Sequence, residues 1–253
     1  MANPIKRFIQ RRAVRRWRKL ADRAPGLTLP ALRACRGNAR QLDHQLKRLM
    51  HVADSRLMLP LLGTNAILRP AGSDWAWRPE IWRGPIAPPG RAAVQTRTMF
   101  GEEATIFHDC GISELTLRQI RNVREKDLSP FGLRMDVFRF DGSFLSLVID
   151  LPQNSVEGLR KKHLLRLDTT IELEKPLEIF ARLNIKHGPN TEQVVRELPL
   201  HQDEVMVEFD LAYTGLNEKR VERMWLDLIF EGPEMNQILL RDLTFSRRPR
   251  AEL

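Results

Sequence analysis

The spacing of hydrophobic residues changes once along the chain, at about residue 98. After that point apolar and polar positions alternate. One clear run, within 163–176, has Leu165, Leu167 and Leu173 separated by charged and hydroxyl residues. A period of two predicts strands with one buried and one solvated face. No helical pattern lies between these runs, so antiparallel connections are favoured over parallel crossovers.

Ten runs with this pattern are predicted to be strands with short connections. They are 104–108, 114–121, 133–140, 143–151, 163–175, 177–187, 193–200, 204–212, 221–231 and 237–246. This order predicts a mainly β fold, an antiparallel β-sandwich of jelly-roll type over residues 96–248 with an N-terminal helical extension. Asp141-Gly142 lies between two apolar runs and predicts a tight hairpin there.

The first residues of the chain have a helical spacing instead. Ile9, Ala13, Trp17 and Leu20 share one side of a helical wheel. The opposite side is basic and carries Arg7, Arg11, Arg12, Arg15, Arg18, Lys19 and Arg23. The pattern predicts a basic amphipathic arm over residues 1–27, which ends at Pro25-Gly26.

A second helix is predicted over residues 28–59. Its apolar residues recur three and four positions apart, which is the spacing of a heptad seam. The seam comprises Leu32, Cys35, Ala39, Leu42, Leu46, Leu49 and Ala53. Two interpretations remain open: a helix that packs on the body of the protein, and an oligomer formed through residues 32–53.

Residues 60–95 are rich in proline and glycine, so neither a long helix nor a central strand is expected there. The segment contains Trp75, Trp77 and Trp82. Three tryptophans so close together favour a connector that packs on the body over a free linker.

The charge is unevenly distributed. The 253 residues have a formal net charge of +9, but residues 1–50 contain 14 Lys and Arg against two Asp, a balance of +12. The remainder is therefore slightly acidic. The arm is predicted to dock on an anionic membrane surface, with a protein partner and nucleic acid as alternatives. Nucleic acid is less favoured, because a wide apolar face is not needed for it and the body offers no second basic patch.

Several classes of protein are not indicated. No run of about 18 apolar residues and no signal-peptide core occurs, so a cytoplasmic protein is predicted, with an organelle transit peptide as the alternative. Phosphate-binding, dinucleotide and metalloprotease motifs do not occur, and neither a cofactor nor a metal is predicted. His108-Asp109-Cys110 is better explained by a strand end than by a nucleophilic site.

The candidate binding surface is formed by the alternate residues of the strands whose side chains point away from the core. If the alternating strands share one sheet, these positions bring together Phe180, Arg182, Asn184, Glu208, Asp210, Trp225 and Asp227. Aromatic faces beside bidentate polar groups are suited to sugars. Glu208 and Asp210, two apart on a strand, also suit glycosidase chemistry, although the third carboxylate of the E-x-D-x-x-E pattern is replaced by Tyr213. A plain solvated face is the other interpretation.

Four segments carry a resemblance to known proteins. They are 74–79, 143–150, 220–231 and 243–248, with Asp-Trp-Ala-Trp-Arg-Pro in the first and Met-Trp-Leu-Asp-Leu-Ile-Phe in the third. Together they resemble an uncharacterised bacterial protein family of unknown function, over about two thirds of the chain. The strand pattern is similar in outline to the galactose-binding-like jelly rolls of carbohydrate-binding modules. These resemblances imply a sandwich fold and no activity.

The sequence thus predicts a non-catalytic interaction protein, with a membrane-docking arm and a sandwich that binds a protein or a saccharide. The alternatives are a carbohydrate-active enzyme that uses Glu208 and Asp210, and a nucleic-acid-binding protein that uses the arm.

Overall fold

The computed structural model describes residues 4–62, 67–200 and 202–250, with side chains throughout except at 4–7, 44, 48, 51 and 54–62. The chain divides into two compact units, Met1–Met50 and His51–Leu253. Helix α1 spans Pro4–Arg23, and helix α2 begins in the same unit and spans Leu29–Leu62. A 3₁₀ turn at Ala24–Gly26 separates them, because Pro25 interrupts the helical hydrogen bonding of α1.

The second unit contains the last part of α2, a short helix α3 at Glu80–Arg83, two 3₁₀ turns and the strands. Its described strands are β1 Trp75–Trp77, β2 Gly90–Arg91, β3 Thr98–Phe100, β4 Ala104–His108, β5 Leu115–Arg121, β6 Phe131–Val137, β7 Leu145–Asp150, β8 His163–Leu173, β9 Ile179–His187, β10 Asn190–Glu197, β11 Glu204–Asp210, β12 Val221–Phe230 and β13 Asn236–Pro249.

The strands form two antiparallel sheets. The larger has the order β11-β8-β13-β6-β5-β2, with β1 also paired to β13. The smaller has the order β10-β9-β12-β7-β4-β3. Along much of the chain, successive strands cross from one sheet to the other, as in a jelly roll. The predicted antiparallel β-sandwich with an N-terminal helical extension is therefore confirmed.

The core lies between the sheets and follows from the alternation. In β12, Leu226 and Leu228 are fully buried, whereas Trp225 and Ile229 on the opposite parity are only half-buried. In β8, Leu165 and Leu167 are buried in the same way. Because successive side chains of a strand point to opposite faces, each sheet presents one apolar face to the core and one face outward.

The hairpin predicted at Asp141-Gly142 is wrong. Strand β6, before it, belongs to the larger sheet and β7, after it, to the smaller, so 138–144 crosses between sheets. Asp109 stabilises this crossing, because its carboxylate accepts hydrogen bonds from the backbone N–H and hydroxyl groups of Ser143 at 2.7 and 2.5 Å. Asp-Gly favours a turn locally, but it does not determine which strand pairs with which.

The Pro/Gly/Trp segment 60–95 contacts the sandwich at several points. Trp82 is fully buried and its indole N–H donates to the carbonyl of Leu240 at 2.9 Å. Trp77 packs against Phe245, with ring centroids 5.9 Å apart. Strand pairing already begins in this segment, since β1 and β2 pair with β13 and β5.

Candidate functional site

The outer face of the smaller sheet carries most of the candidate residues. Asp227 lies directly opposite Arg182 in the register of β12 with β9, and Trp225 lies opposite Asn184. On the other side of β12, Trp225 is opposite Asp150 of β7. Three neighbouring strands therefore bring these side chains together on the face that points away from the core.

The centre of this face is a polar cluster in which Asp227 and Asn184 are buried and Arg182 is partly exposed. Arg182 donates through Nε and Nη2 to Oδ2 of Asp227, at 2.8 and 2.6 Å. Asn184 donates to the same oxygen at 3.2 Å and accepts from Gln193 at 2.9 Å. Asp227 and Asn184 are 4% and 1% exposed. All three donor atoms therefore converge on one carboxylate oxygen, Oδ2 of Asp227.

Aromatic side chains lie beside the polar cluster on the same face. Trp225 is half-buried, and the guanidinium carbon of Arg223 lies 4.6 Å from the centre of its ring. Phe107 and the 42% exposed Phe144 lie on the β4 side of the same surface. Between these groups is a groove of about 540 Å³, lined by Thr105, Phe107, Phe144, Ser146, Val148, Asp150, Arg182, Arg223, Trp225, Asp227 and Ile229.

Ser146 is a further candidate residue of this groove and was not among those expected from the sequence. It lies in β7 between Phe107 and Ile229 and is 6% exposed. Among the described residues its hydroxyl has no hydrogen-bond partner. A buried hydroxyl without a partner in the protein costs free energy, and in a groove it is free to bond a ligand. The alternation of β7 was the available signal, since it places Ser146, Val148 and Asp150 on one parity.

The single binding face expected from the sequence is divided between two sheets. Glu208 and Asp210 lie on β11 of the larger sheet, whereas Phe180, Arg182, Asn184, Trp225 and Asp227 lie on the smaller. The expectation that they share a face is therefore wrong. Its physical reason is that alternation indicates which side of a strand is buried and not which sheet the strand joins.

The carboxylates of β11 are engaged in ion pairs. Glu208 accepts from Arg248 at 3.0 Å, and Asp210 pairs with Arg250 at 3.2 Å. A cavity of about 450 Å³ on this sheet is lined by Arg166 and Asp168 but by neither Glu208 nor Asp210. Both carboxylates are thus neutralised by arginines on the strand surface. In a glycosidase, paired carboxylates would instead line a cleft.

The described ranges 4–62, 67–200 and 202–250 contain no cluster of three or more His, Cys, Asp or Glu side chains that could hold a metal ion. His108 and Cys110 bond each other at the end of β4, where the Cys110 N–H donates to Nδ1 of His108 at 3.2 Å. Burial raises the pKa of the Cys110 thiol. A protonated thiol at a strand end is a structural feature rather than an activated nucleophile.

The arm forms the second candidate surface. In α1 the side chains of Arg11, Arg12, Arg15, Arg18 and Lys19 are exposed and Trp17 is half-buried, while the side chain of Arg7 lies outside the described residues. Ile9 and Val14 are 60% and 56% exposed. Arg12, Arg15, Arg16, Lys19 and Arg23 line a groove of about 690 Å³ beside α2. None of the helices in the described ranges combines the length and the apolar character needed to cross a bilayer.

Comparison with solved structures finds a phage tailspike domain and carbohydrate-binding modules, all at low sequence identity. The enzymatically active domain of tailspike protein 4 from bacteriophage CBA120 matches with a TM-score of 0.41 and 6% identity, over 56% of this chain and only 19% of its own. A family 11 carbohydrate-binding module from Clostridium thermocellum, in complex with a β-1,3-1,4-mixed-linked tetrasaccharide, matches with a TM-score of 0.39 and 11% identity, over 66% of this chain and 100% of its own.

The CBM22-1 xylan-binding domain from Paenibacillus barcinonensis matches with a TM-score of 0.38 and 9% identity, over 72% of this chain and 100% of its own. Matches at these TM-scores and identities identify no ligand for this chain. No curated protein matches the chain significantly. A protein-family model matches residues 1–253. The chain therefore belongs to DUF6478, a family of unknown function.

Proposed function

We propose that the protein is a non-catalytic interaction protein whose sandwich binds a saccharide in the groove on the outer face of the smaller sheet. The observation that carries this proposal is the ion pair of the partly exposed Arg182 with the buried Asp227 beside Trp225, in a groove that also contains the unpartnered hydroxyl of Ser146. A protein partner at the same face is the second candidate.

The polar cluster places a hydrogen-bond acceptor and a hydrogen-bond donor close together, so it can bind two adjacent hydroxyl groups of a ligand. A sugar presents neighbouring hydroxyls that both donate and accept hydrogen bonds. Asp227 lines the groove as an acceptor, and the partly exposed guanidinium of Arg182 lines it as a donor. Hydrogen bonds to charged groups are the strong ones, and both groups are already held in place by their mutual ion pair. Little side-chain entropy is therefore lost when a ligand binds.

Trp225 supplies the apolar surface that a pyranose ring requires. The ring face of a tryptophan buries a large area against the C–H face of a sugar. Arg223 covers part of this face, but the side chain is exposed and a cation–π contact at such a site is worth about 0.5–1 kcal/mol. A ligand can therefore displace the guanidinium at small cost.

Titration calorimetry of the purified protein with soluble mixed-linkage β-glucan and xylan tests the site. Trp225→Ala and Asp227→Asn should each weaken binding by tenfold or more, about 1.4 kcal/mol at 25 °C, because they remove the stacking face and the charged acceptor. Met206→Ala, an exposed site on the larger sheet, is the matched control and should bind as the parent does. Binding that both groove variants retain would contradict the proposal. Hydrolysis of either glycan, abolished by Glu208→Gln, would support the carbohydrate-active enzyme instead.

A second proposal concerns the arm, which we infer docks on an anionic membrane surface. Its basis is the exposure of both the basic and the aliphatic side chains of α1. Each basic residue near an anionic leaflet contributes about 1 kcal/mol, and aliphatic groups can enter the headgroup layer. In this proposal the protein works in the cytoplasm, at the inner face of the membrane.

Sedimentation with vesicles of phosphatidylglycerol, and with vesicles of phosphatidylcholine, tests the arm. The full chain should sediment with the anionic vesicles alone, and removal of residues 1–27 should abolish this. Binding that the deletion leaves unchanged would contradict membrane docking. Duplex DNA binding with a steep dependence on salt would favour the nucleic-acid alternative. Failure to bind vesicles and DNA alike would leave a protein partner as the candidate for the arm.

A further inference from the structure

Helix α2 exposes a continuous apolar seam. Leu42, Leu46, Leu49 and Met50 are 39%, 46%, 65% and 58% exposed, and Val52 is 53% exposed. At 100° per residue these side chains, here called the α2 seam, share one side of the helix over about 15 Å. Exposed apolar residues in such an unbroken stripe are unusual for a solvated helix and indicate an interaction surface.

The charged residues between 40 and 52 that have described side chains lie off the face of this seam, with Asp43 at its border. On the helical wheel Arg40 and Lys47 point to the opposite side, and Lys47 forms an ion pair with Asp43 at 2.6 Å. Beside the three leucines of the seam lie Asn38, Asp43, Gln45 and the seam residues Met50 and Val52, and of these Asp43 alone is charged and is paired with Lys47. When two such seams meet, no like charges are brought together. A partner selected by charge would have to contact the basic side instead, so the seam suits an occupant that is apolar and neutral along three helical turns.

We propose that the α2 seam associates with the α2 seam of a second copy of this chain. A two-fold interface places the same surface on both subunits and therefore requires self-complementarity. Leucines spaced three and four apart meet this requirement, because each fits between the side chains of a facing helix with the same spacing. The flanking residues add no repulsion. Helix α2 is 34 residues long, so its backbone continues beyond the seam in both directions.

Self-association would join two sandwiches and two basic arms in one particle. Two grooves of low affinity could then bind the same glycan, and two arms the same vesicle. Such bivalent binding raises the apparent affinity without any new contact. The inference does not depend on the saccharide or the membrane proposal, because the mass of the particle is measured without either ligand.

Light scattering coupled to size-exclusion chromatography measures that mass on the full chain, across about 2–200 µM protein. The expected mass is twice 29.4 kDa at the upper concentrations. Leu46→Gln combined with Leu49→Gln should return it to 29.4 kDa across the whole range, while the near-UV circular dichroism of the sandwich stays unchanged. Ile112→Gln is the control, since it removes an aliphatic side chain outside α2 that is even more exposed than Leu46 and Leu49.

Each possible result of this experiment either supports the proposal or overturns it. A dimer that dissociates in the double variant and persists in Ile112→Gln supports the proposal. A protein that is monomeric at all these concentrations overturns it, and so does a dimer that the two glutamines leave intact. Loss of the dimer in Ile112→Gln would place the interface on the sandwich and would also overturn it.

Discussion

Gly132 shows how closely β6 approaches β13 in the larger sheet. A Cβ atom at this position would lie 3.0 Å from the carbonyl oxygen of Leu240, 3.1 Å from Oδ1 of Asn122 and 3.2 Å from Cα of Arg241. Two of these atoms belong to the backbone of β13, where its register with β8 shifts between Leu240 and Asp242. The irregularity can be accommodated only because the opposing strand has no side chain there.

Gly132→Ala should therefore destabilise the sandwich by about 1–3 kcal/mol, since backbone atoms cannot move aside as a flexible side chain can. The measurement is the urea midpoint of the near-UV signal. Gly90→Ala is the control, because its closest contact would be an ordinary 3.4 Å. Equal midpoints for the two variants would contradict this account of the close approach.

His163 contributes a pH dependence to stability. Burial, and then the nearby Arg247, hold the pKa of His163 below its ordinary value. Between the unfolded pKa of about 6.5 and the lower folded pKa, the unfolded chain binds the proton and the folded chain does not. The stability that the neutral His163 provides is therefore complete above about pH 6.5 and is lost as the pH falls through the folded pKa.

The prediction is that the wild type loses more stability than His163→Gln between about pH 7.5 and pH 5, by urea unfolding at each pH. Other titrating groups are common to both proteins, so the difference between them isolates His163. Parallel pH profiles would show that the ring is protonated as readily in the fold as in water.

The attachment of segment 60–95 is a property of elements rather than of single residues. Arg78, 2% exposed, donates through Nε and Nη2 to the two carboxylate oxygens of Asp242 in β13, both at 2.8 Å. Burial raises the pKa of Asp242, and the charge of Arg78 opposes that rise. The ion pair thus fixes the chain just before α3 to the longest strand of the larger sheet.

Arg78→Ala should cost about 3–5 kcal/mol of unfolding free energy, because it leaves the Asp242 carboxylate buried without its counterion. Arg134→Ala breaks a comparable pair with Asp136 on the surface of the same sheet and should cost no more than about 1 kcal/mol. Chemical denaturation of both variants at neutral pH makes the comparison. Similar losses in the two would contradict the structural role assigned to Arg78.

At the scale of the whole molecule, the two compact units differ in composition and in burial. Residues 1–50 hold 14 of the 41 Lys and Arg and no Glu. Their described side chains are exposed or half-buried, whereas the sandwich has a continuous core. Backbone with few buried apolar contacts opens locally at low cost, and proteases cut such segments first.

Limited trypsin digestion should therefore cleave within residues 11–48 well before any site in 67–250, as mass spectrometry of a time course would show. A Glu-specific protease, which finds no site in residues 1–50, should leave the N-terminal unit uncut over the same time. Early tryptic cuts within the sandwich would contradict the difference in local stability.

Local patterns of the sequence determined the kinds of element in this protein. Alternation in runs such as 163–175 and 221–231 predicted strands that the structure contains, and the three-and-four spacing predicted α1 and α2. Periodicity is sufficient for this because a strand or helix that buries one face must repeat its apolar residues at the period of its backbone. The contrast between the basic arm and the acidic remainder was likewise visible in the sequence alone.

Only the tertiary structure decided which strands are neighbours, and with them the candidate site. Glu208 and Asp210 have the same alternation as Trp225 and Asp227, yet they lie on the other sheet. Ser146 entered the site through its register with Phe107 and Ile229. Strand pairing is made by backbone hydrogen bonds that are the same for every residue type, so the sequence of a strand indicates its buried face but not its partner.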